Sequence, residues 1–185
     1  IRNLYPDHQI LADDEGKVIA LTKAIGRRMR RKKKGFAVPI KGLTPGMAVH
    51  FGGCCYPIPG DRIVGIVTSG KGVAIHTIDC ETLEKLDEES ERWLDVTWDE
   101  GRAAEKSHVG RLHVVLANEA GSLGNLSTTI GKNMSNITNL KITNRSSDFF
   151  EMIVDLEVKD VKHLANIVAA LRATTAINSV ERARG

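Results

Sequence analysis

Four side chains in the first half of the sequence have metal-ligand chemistry: Cys54, Cys55, His76 and Cys80. Three thiols and one imidazole make a Cys3His set of the kind that holds tetrahedral zinc. His76 and Cys80 stand four apart, the spacing of neighbours on one helical face. Cys54 and Cys55 are adjacent, and adjacent side chains of an extended segment diverge, so that only one of them would point at the ion. A pair of small buried thiols without metal accounts for the same residues.

A second stretch has ligand-binding chemistry of another kind. Asn118-Glu119-Ala120-Gly121-Ser122-Leu123-Gly124 follows the alternating run from Arg111 to Ala117. It precedes a helical pattern in which Leu123, Leu126, Ile130 and Met134 share a face. A strand therefore enters a glycine-containing turn that opens a helix. Free N–H groups around Gly121 to Leu123 and the helix dipole favour a carboxylate or phosphate there. Asn118 can accept from an ammonium or donate to a carboxylate. The alternative is an ordinary strand-to-helix turn capped by Ser122 or Asn118.

A third group is the basic run Arg27, Arg28, Arg30, Arg31, Lys32, Lys33 and Lys34. Seven cations in eight positions suit phosphate contacts with nucleic acid, without sequence readout. They equally suit a solvated helix end complementing its dipole.

The elements that position these groups fall into an α+β chain. Of 185 residues, 42% are hydrophobic and 26% charged, a globular composition with room for one domain or two small ones. The net charge of +3 conceals an uneven distribution, for residues 1–47 hold 11 Lys/Arg against 4 Asp/Glu. No apolar run approaches the roughly 20 residues that span a bilayer. Three cysteines, two of them adjacent, point to a reducing cytoplasmic setting rather than a disulfide framework. The chain begins at Ile1 within polar text, and we expect a piece of a longer protein.

Residues 1–39 read as a helical linker with a basic end, with Val18, Leu21, Ile25 and Met29 on one face. Residues 40–100 read as a small β-rich module. Its strands are expected at 48–51, 62–67, 72–76 and 93–98, with an acidic helix from Glu81 to Glu91. A hydrophilic link over 101–110 leads to a second domain, 111–185, of order βαββαβ. In it Thr138, Leu140 and Ile142 share one side of a strand, Phe150 to Val158 alternate, and Asp160 caps the second helix. That order is ferredoxin-like, with two helices on one face of an antiparallel sheet. An RNA-recognition domain shares it but carries a basic-Gly-aromatic pattern on its third strand. Here that strand begins Asp148-Phe149-Phe150-Glu151.

Asn118-Glu119-x-Gly121-x-Leu123, with Asn136-Ile137 opening the second strand, resembles the ACT domain, most closely that of the valine-sensing subunit of acetohydroxyacid synthase. The resemblance implies that Asn118 and Asn136 hold a ligand's polar end. The backbone of Gly121, Ser122 and Leu123 would take its carboxylate, and Ile137 would line its apolar side. It also implies a homodimer, since the family binds ligands between two ACT units. Gly53-Cys54-Cys55-x-Pro57-x-Pro59-Gly60-Asp61, then Gly65 and Val73-x-Ile75-His76-x3-Cys80, resembles the zinc-finger-like, ribosome-intersubunit module of long RelA/SpoT homologues. Those enzymes synthesise and hydrolyse guanosine tetra- and pentaphosphate, and in them an ACT domain follows this module. The resemblance implies a regulatory fragment rather than an enzyme, acting on an N-terminal catalytic half. It implies zinc on Cys54, Cys55, His76 and Cys80, and valine or isoleucine as effector. A ribosomal RNA partner for residues 27–34 is the alternative function, without a small-molecule ligand.

Overall fold

A computed structural model describes residues 38–44, 46–84, 90–103 and 105–183. The helix expected over 13–34 and the basic run Arg27 to Lys34 lie outside these residues.

The first module is a four-stranded sheet with a two-stranded clip. Strands β2 (Val49–Phe51), β3 (Ile63–Thr68), β4 (Gly72–Thr77) and β5 (Trp93–Asp95) are ordered β2-β4-β3-β5. β2 runs parallel to β4 and the other pairs are antiparallel. The apolar run from Ile63 to Val67 is central and buried in its first four residues, as a doubly covered strand should be. β1 (Ile40–Lys41) pairs with β6 (Thr97–Trp98) as the clip. The strand expected over 93–98 is thus two strands with different partners. Trp93, Leu94 and Asp95 continue the sheet beside β3, and Val96, 3% exposed, turns inward to the core. After that turn Trp98 faces Ile40 and stacks on Phe51 with ring centroids 5.7 Å apart. Of the acidic helix expected over Glu81–Glu91, Glu81–Glu84 form helix α1 and Ser90–Arg92 a single 3-10 turn, and 85–89 lie outside the described residues.

The stretch 101–110 is not simply a link. Helix α2 (Glu100–Ala103) opens it, and strand β7 (His108–Ala117) begins three residues before Arg111. Helix α3 (Ser122–Lys132), β8 (Ile137–Arg145), β9 (Phe149–Val158), α4 (Val161–Arg172) and β10 (Ile177–Arg182) complete the βαββαβ order. The antiparallel sheet is ordered β10-β7-β9-β8, the ferredoxin-like arrangement. Alternation drives it: Leu112, Val114 and Leu116 of β7 and Met152, Val154 and Leu156 of β9 are at most 1% exposed and face the helices. Leu126 and Ile130 of α3 and Leu164, Ile167 and Leu171 of α4 close that core from above. Each such side chain contributes about 1.5–3 kcal/mol of transfer free energy. Asp160 caps α4 as its sequence position predicts, accepting from His163 N at 2.7 Å.

Two apolar patterns resolve differently from expectation. Leu123 and Met134 do not join Leu126 and Ile130 in the core, being 48% and 85% exposed. The helix stops at Lys132, Asn133 is its C-cap, and Met134 adopts a left-handed φ of 57° that turns its side chain outward. On β8, register shifts between Ile137 and Asn139 and between Ile142 and Asn144 break strict alternation. Ile137 and Leu140 therefore pack on the core, and Thr138 and Ile142 are exposed. No described helix is long and apolar enough to cross a membrane.

Candidate functional site

Cys54, Cys55, His76 and Cys80 converge, with their ligand atoms all within 4.8 Å of one another. Both adjacent cysteines point inward because their segment is a turn and not a strand. Gly52 N donates to Ile75 O at 2.8 Å, Tyr56 N donates to Gly52 O at 3.0 Å, and Tyr56 closes the turn with φ 47°. His76 and Cys80 share no helix: His76 lies on β4, and Cys80 follows a turn in which its N–H meets Thr77 O at 3.1 Å. Cys54 Sγ is 3.2 Å from His76 Nδ1 and 3.4 Å from Cys80 Sγ. Cys55 Sγ is 3.7 Å from the same nitrogen and 3.9 Å from Cys54 Sγ. Edges of a zinc tetrahedron with these donors are about 3.5–3.7 Å, so the set has the size such an ion needs. Four protein donors would leave no open position, the pattern of a structural and not a catalytic site.

The surroundings are arranged for these ligands. A Cβ at Gly52 would stand 2.7 Å from His76 Nδ1, so only glycine lets the turn pass beside the imidazole. Thr77 N donates to Cys55 Sγ at 3.4 Å, an orienting bond of the kind that accompanies metal thiolates. Burial pushes the Cys55 thiol up to about 12, against the opposing Thr77 bond and with help from Cys54 and Cys80. Burial also raises Cys80, but hydrogen bonds with Thr82, Cys54 and Cys55 outweigh it and leave that thiol below its ordinary value. Burial, and then the neighbouring His50, lowers His76 and favours the neutral imidazole that binds metals.

The second candidate, Asn118 to Gly124, joins β7 to α3. Gly121 is the N-cap, with φ 90° and ψ −11°, a left-handed conformation suited to glycine. Neither Ser122 nor Asn118 caps the helix through its side chain. Ser122 is 3% exposed and its N–H donates to Glu119 O at 3.2 Å, which leaves Leu123 as the next donor of the first turn. Glu119, Ala120 and Gly124 are exposed, and a Cβ at Gly121 would meet nothing within 4 Å. Asn118 is anchored to the β8–β9 turn, its N–H on Asp148 O and its Nδ2 on Ser146 O, both at 2.8 Å. One N–H of its side-chain amide is thereby used, and the oxygen remains as an acceptor for a cation.

Asn136 and Ile137 do not join this loop within one chain. Ala117 is in register with Phe149 at one end of β9, and Ile137 with Leu156 near the other. Seven strand residues separate them, about 23 Å. Asn136 is exposed and its carbonyl accepts from Glu157 N at 2.9 Å; Ile137 is half-buried.

Other contacts were not legible in the sequence. Asp61, six residues beyond Cys55, takes a bidentate pair from Arg182 of β10 at 2.6 and 2.7 Å, across 121 positions. A cleft of about 720 Å³ lies alongside, lined by Pro59, Trp98, Lys159 and Lys162 among others. It does not reach the Asn118–Gly124 loop. The only signal in the sequence was Pro57-x-Pro59-Gly60-Asp61 itself, which has no chemistry that would announce a partner.

Comparison with known proteins follows the same division. Residues 38–99 match the RelA/SpoT RIS domain and 104–182 match the ACT domain. The GTP pyrophosphokinase rsh of Brucella ovis is 38% identical over 151 residues, covering 80% of this chain and 20% of that protein. The bifunctional (p)ppGpp synthase/hydrolase SpoT of Escherichia coli is 34% identical over 147 residues, with the same coverage. The chain thus spans about a fifth of the length of these curated relatives. The crystal structure of the ACT domain from GTP pyrophosphokinase of Chlorobium tepidum aligns over 42% of this chain and 99% of its own, at 21% identity and a TM-score of 0.37. With one domain of each kind, in this order, and homology across four-fifths of its length, the chain carries the RIS and ACT domains of RelA/SpoT proteins and is homologous to their C-terminal regulatory regions.

Proposed function

We propose that this region senses a branched-chain amino acid, valine or isoleucine, through its ACT domain and tunes the balance of guanosine tetraphosphate synthesis and hydrolysis in a catalytic half of the same cytoplasmic protein. The RIS domain is held by zinc on Cys54, Cys55, His76 and Cys80. The effector binds between two ACT units of a homodimer.

One observation carries this reading: the two halves of the expected site lie at opposite ends of one sheet. β8 is an edge strand, and Asn118 is tied to the turn that ends it. Antiparallel pairing of two β8 strands brings the Asn136–Ile137 end of one copy beside the Arg145–Ser146 end of the other. Asn118 of that second copy is anchored there. The ammonium then meets the Asn118 oxygen, the carboxylate meets the N–H groups at the start of α3, and the branched side chain lies on Ile137. Each dimer holds two such sites by symmetry. Regulation requires the effector to bind one conformation of the whole protein more tightly than another.

Isothermal titration calorimetry with valine, isoleucine, leucine and serine tests the reading. Saturable heat is expected with the branched-chain ligands, lost in Gly121→Asp, where a carboxylate would face the ligand's own. No heat at two temperatures would leave docking to ribosomal RNA as the function to pursue, through the basic run 27–34.

A further inference from the structure

Tyr56 is held from two sides. On one side it closes the turn that aims Cys54 and Cys55 at His76, with a left-handed φ of 47° and its N–H on Gly52 O. A bulky residue holds that conformation only where its surroundings enforce it. On the other side both contacts come from the ACT sheet. Arg182 Nη2 donates to Tyr56 O at 3.0 Å, and the Arg111 guanidinium lies 4.1 Å from the centre of the Tyr56 ring. Arg182 also grips Asp61, whose Oδ2 accepts from Ile58 N at 2.8 Å. Between these anchors Ile58 is fully buried in the ACT core, and Val161 N donates to Pro59 O at 2.9 Å.

Arg111 extends the connection across the sheet. It pairs with Asp155 of β9 at 2.6 and 2.8 Å, and Asp155 accepts from Asn139 of β8 at 3.2 Å. Asn139 stands two residues beyond Ile137, on the strand proposed above to pair between copies.

We infer that segment 52–61 couples the Cys/His set to the ACT domain, with Tyr56 as the positioning residue, so that metal loading of the RIS domain sets the order of β10 and β7 and through them of β8. The inference rests on the zinc reading above. With the ion bound, Cys54 and Cys55 are fixed and the turn presents Tyr56 O and its ring to the two arginines. Without it the Tyr56–Gly52 hydrogen bond and the two arginine contacts must by themselves hold Tyr56 in its left-handed conformation, and as the turn relaxes both arginine contacts loosen.

The test is hydrogen exchange of the chain under reducing conditions, zinc-loaded and after chelation, with metal content measured on the same samples. Stripping is expected to speed exchange at 177–182 and 108–112 by about ten-fold, the scale of one charge-assisted hydrogen bond. Exchange in α3 should change less than two-fold. In Arg182→Gln the metal content should stay at one per chain, and exchange at 177–182 should no longer respond to stripping. Metal bound and removed with no change at 177–182 in the unaltered chain would overturn the coupling and leave the zinc reading intact. So would a uniform rise throughout the ACT domain. A chain that holds no zinc from the outset would overturn both.

Discussion

The ACT domain gathers fourteen of its own buried apolar residues, together with Ile58, into one continuous core. Among the described residues, the RIS domain divides ten buried ones between two clusters of five, and one of those contains Cys55 and Cys80. ACT strands β7 and β9 are ten residues long and its helices eleven and twelve, whereas no described RIS element exceeds six. The two domains draw their stability from different sources. Long alternating strands under two amphipathic helices bury enough apolar surface to fold unaided. A module of short strands and turns buries less, and its Cys/His set lies at one of its two clusters, that of Cys55, Val64, Ile66, Cys80 and Leu83.

Metal removal should break this contrast most sharply. Structural zinc supplies on the order of 10 kcal/mol to small modules at neutral pH, so chelation should unfold the sheet of β2 to β5 and leave the core of the ACT domain protected. Backbone NMR of the stripped chain checks this; retention of dispersed signals for β3 and β4 would refute it. Next in size is Leu126→Ala, which empties space in the ACT core and should cost about 3 kcal/mol in denaturant unfolding. Zinc content should not change. A parallel loss of zinc would show that the two domains share one stability and not two.

The smallest expected effect concerns the charge pair across β7 and β9 of the ACT sheet. The Arg111 guanidinium, hydrogen-bonded to Asp155, holds that carboxyl below its ordinary value; burial opposes it and Asn139 assists. A depressed folded value means that the unfolded chain takes up the proton first. The pair therefore stabilises the fold above about pH 4, and its contribution is lost as pH falls through the lower, folded value. Asp155→Asn should flatten the acid limb of ACT stability between pH 5 and pH 2, which denaturation at a series of pH values would reveal. An unchanged limb would assign acid sensitivity elsewhere.

Much of the ACT fold was legible because its strands and helices carry their periods in consecutive residues. Phe150 to Val158 alternates, Leu164, Ile167 and Leu171 repeat with the helix, and Asp160 announces the cap. What misled were Met134 and Ile142, apolar residues at the right spacing beyond a helix end and beyond a bulge. Likewise Trp93 to Trp98 reads as one strand, since nothing local distinguishes a residue paired to β3 from one paired to β1.

The sequence by itself determined the inventory: three thiols and an imidazole, a glycine turn between a strand and a helix, and two domains in order. These are properties of residue type and near-neighbour spacing. Only the tertiary structure decided how they are used. It brought Cys54 and Cys55 to one point, because a hydrogen bond between residues four apart and a left-handed Tyr56 fold the segment back on itself. It set Asn118 and Ile137 at opposite ends of a sheet, because strand register and not sequence distance fixes their separation. And it joined Asp61 to Arg182, since a pairing across 121 positions exists only once both domains have folded.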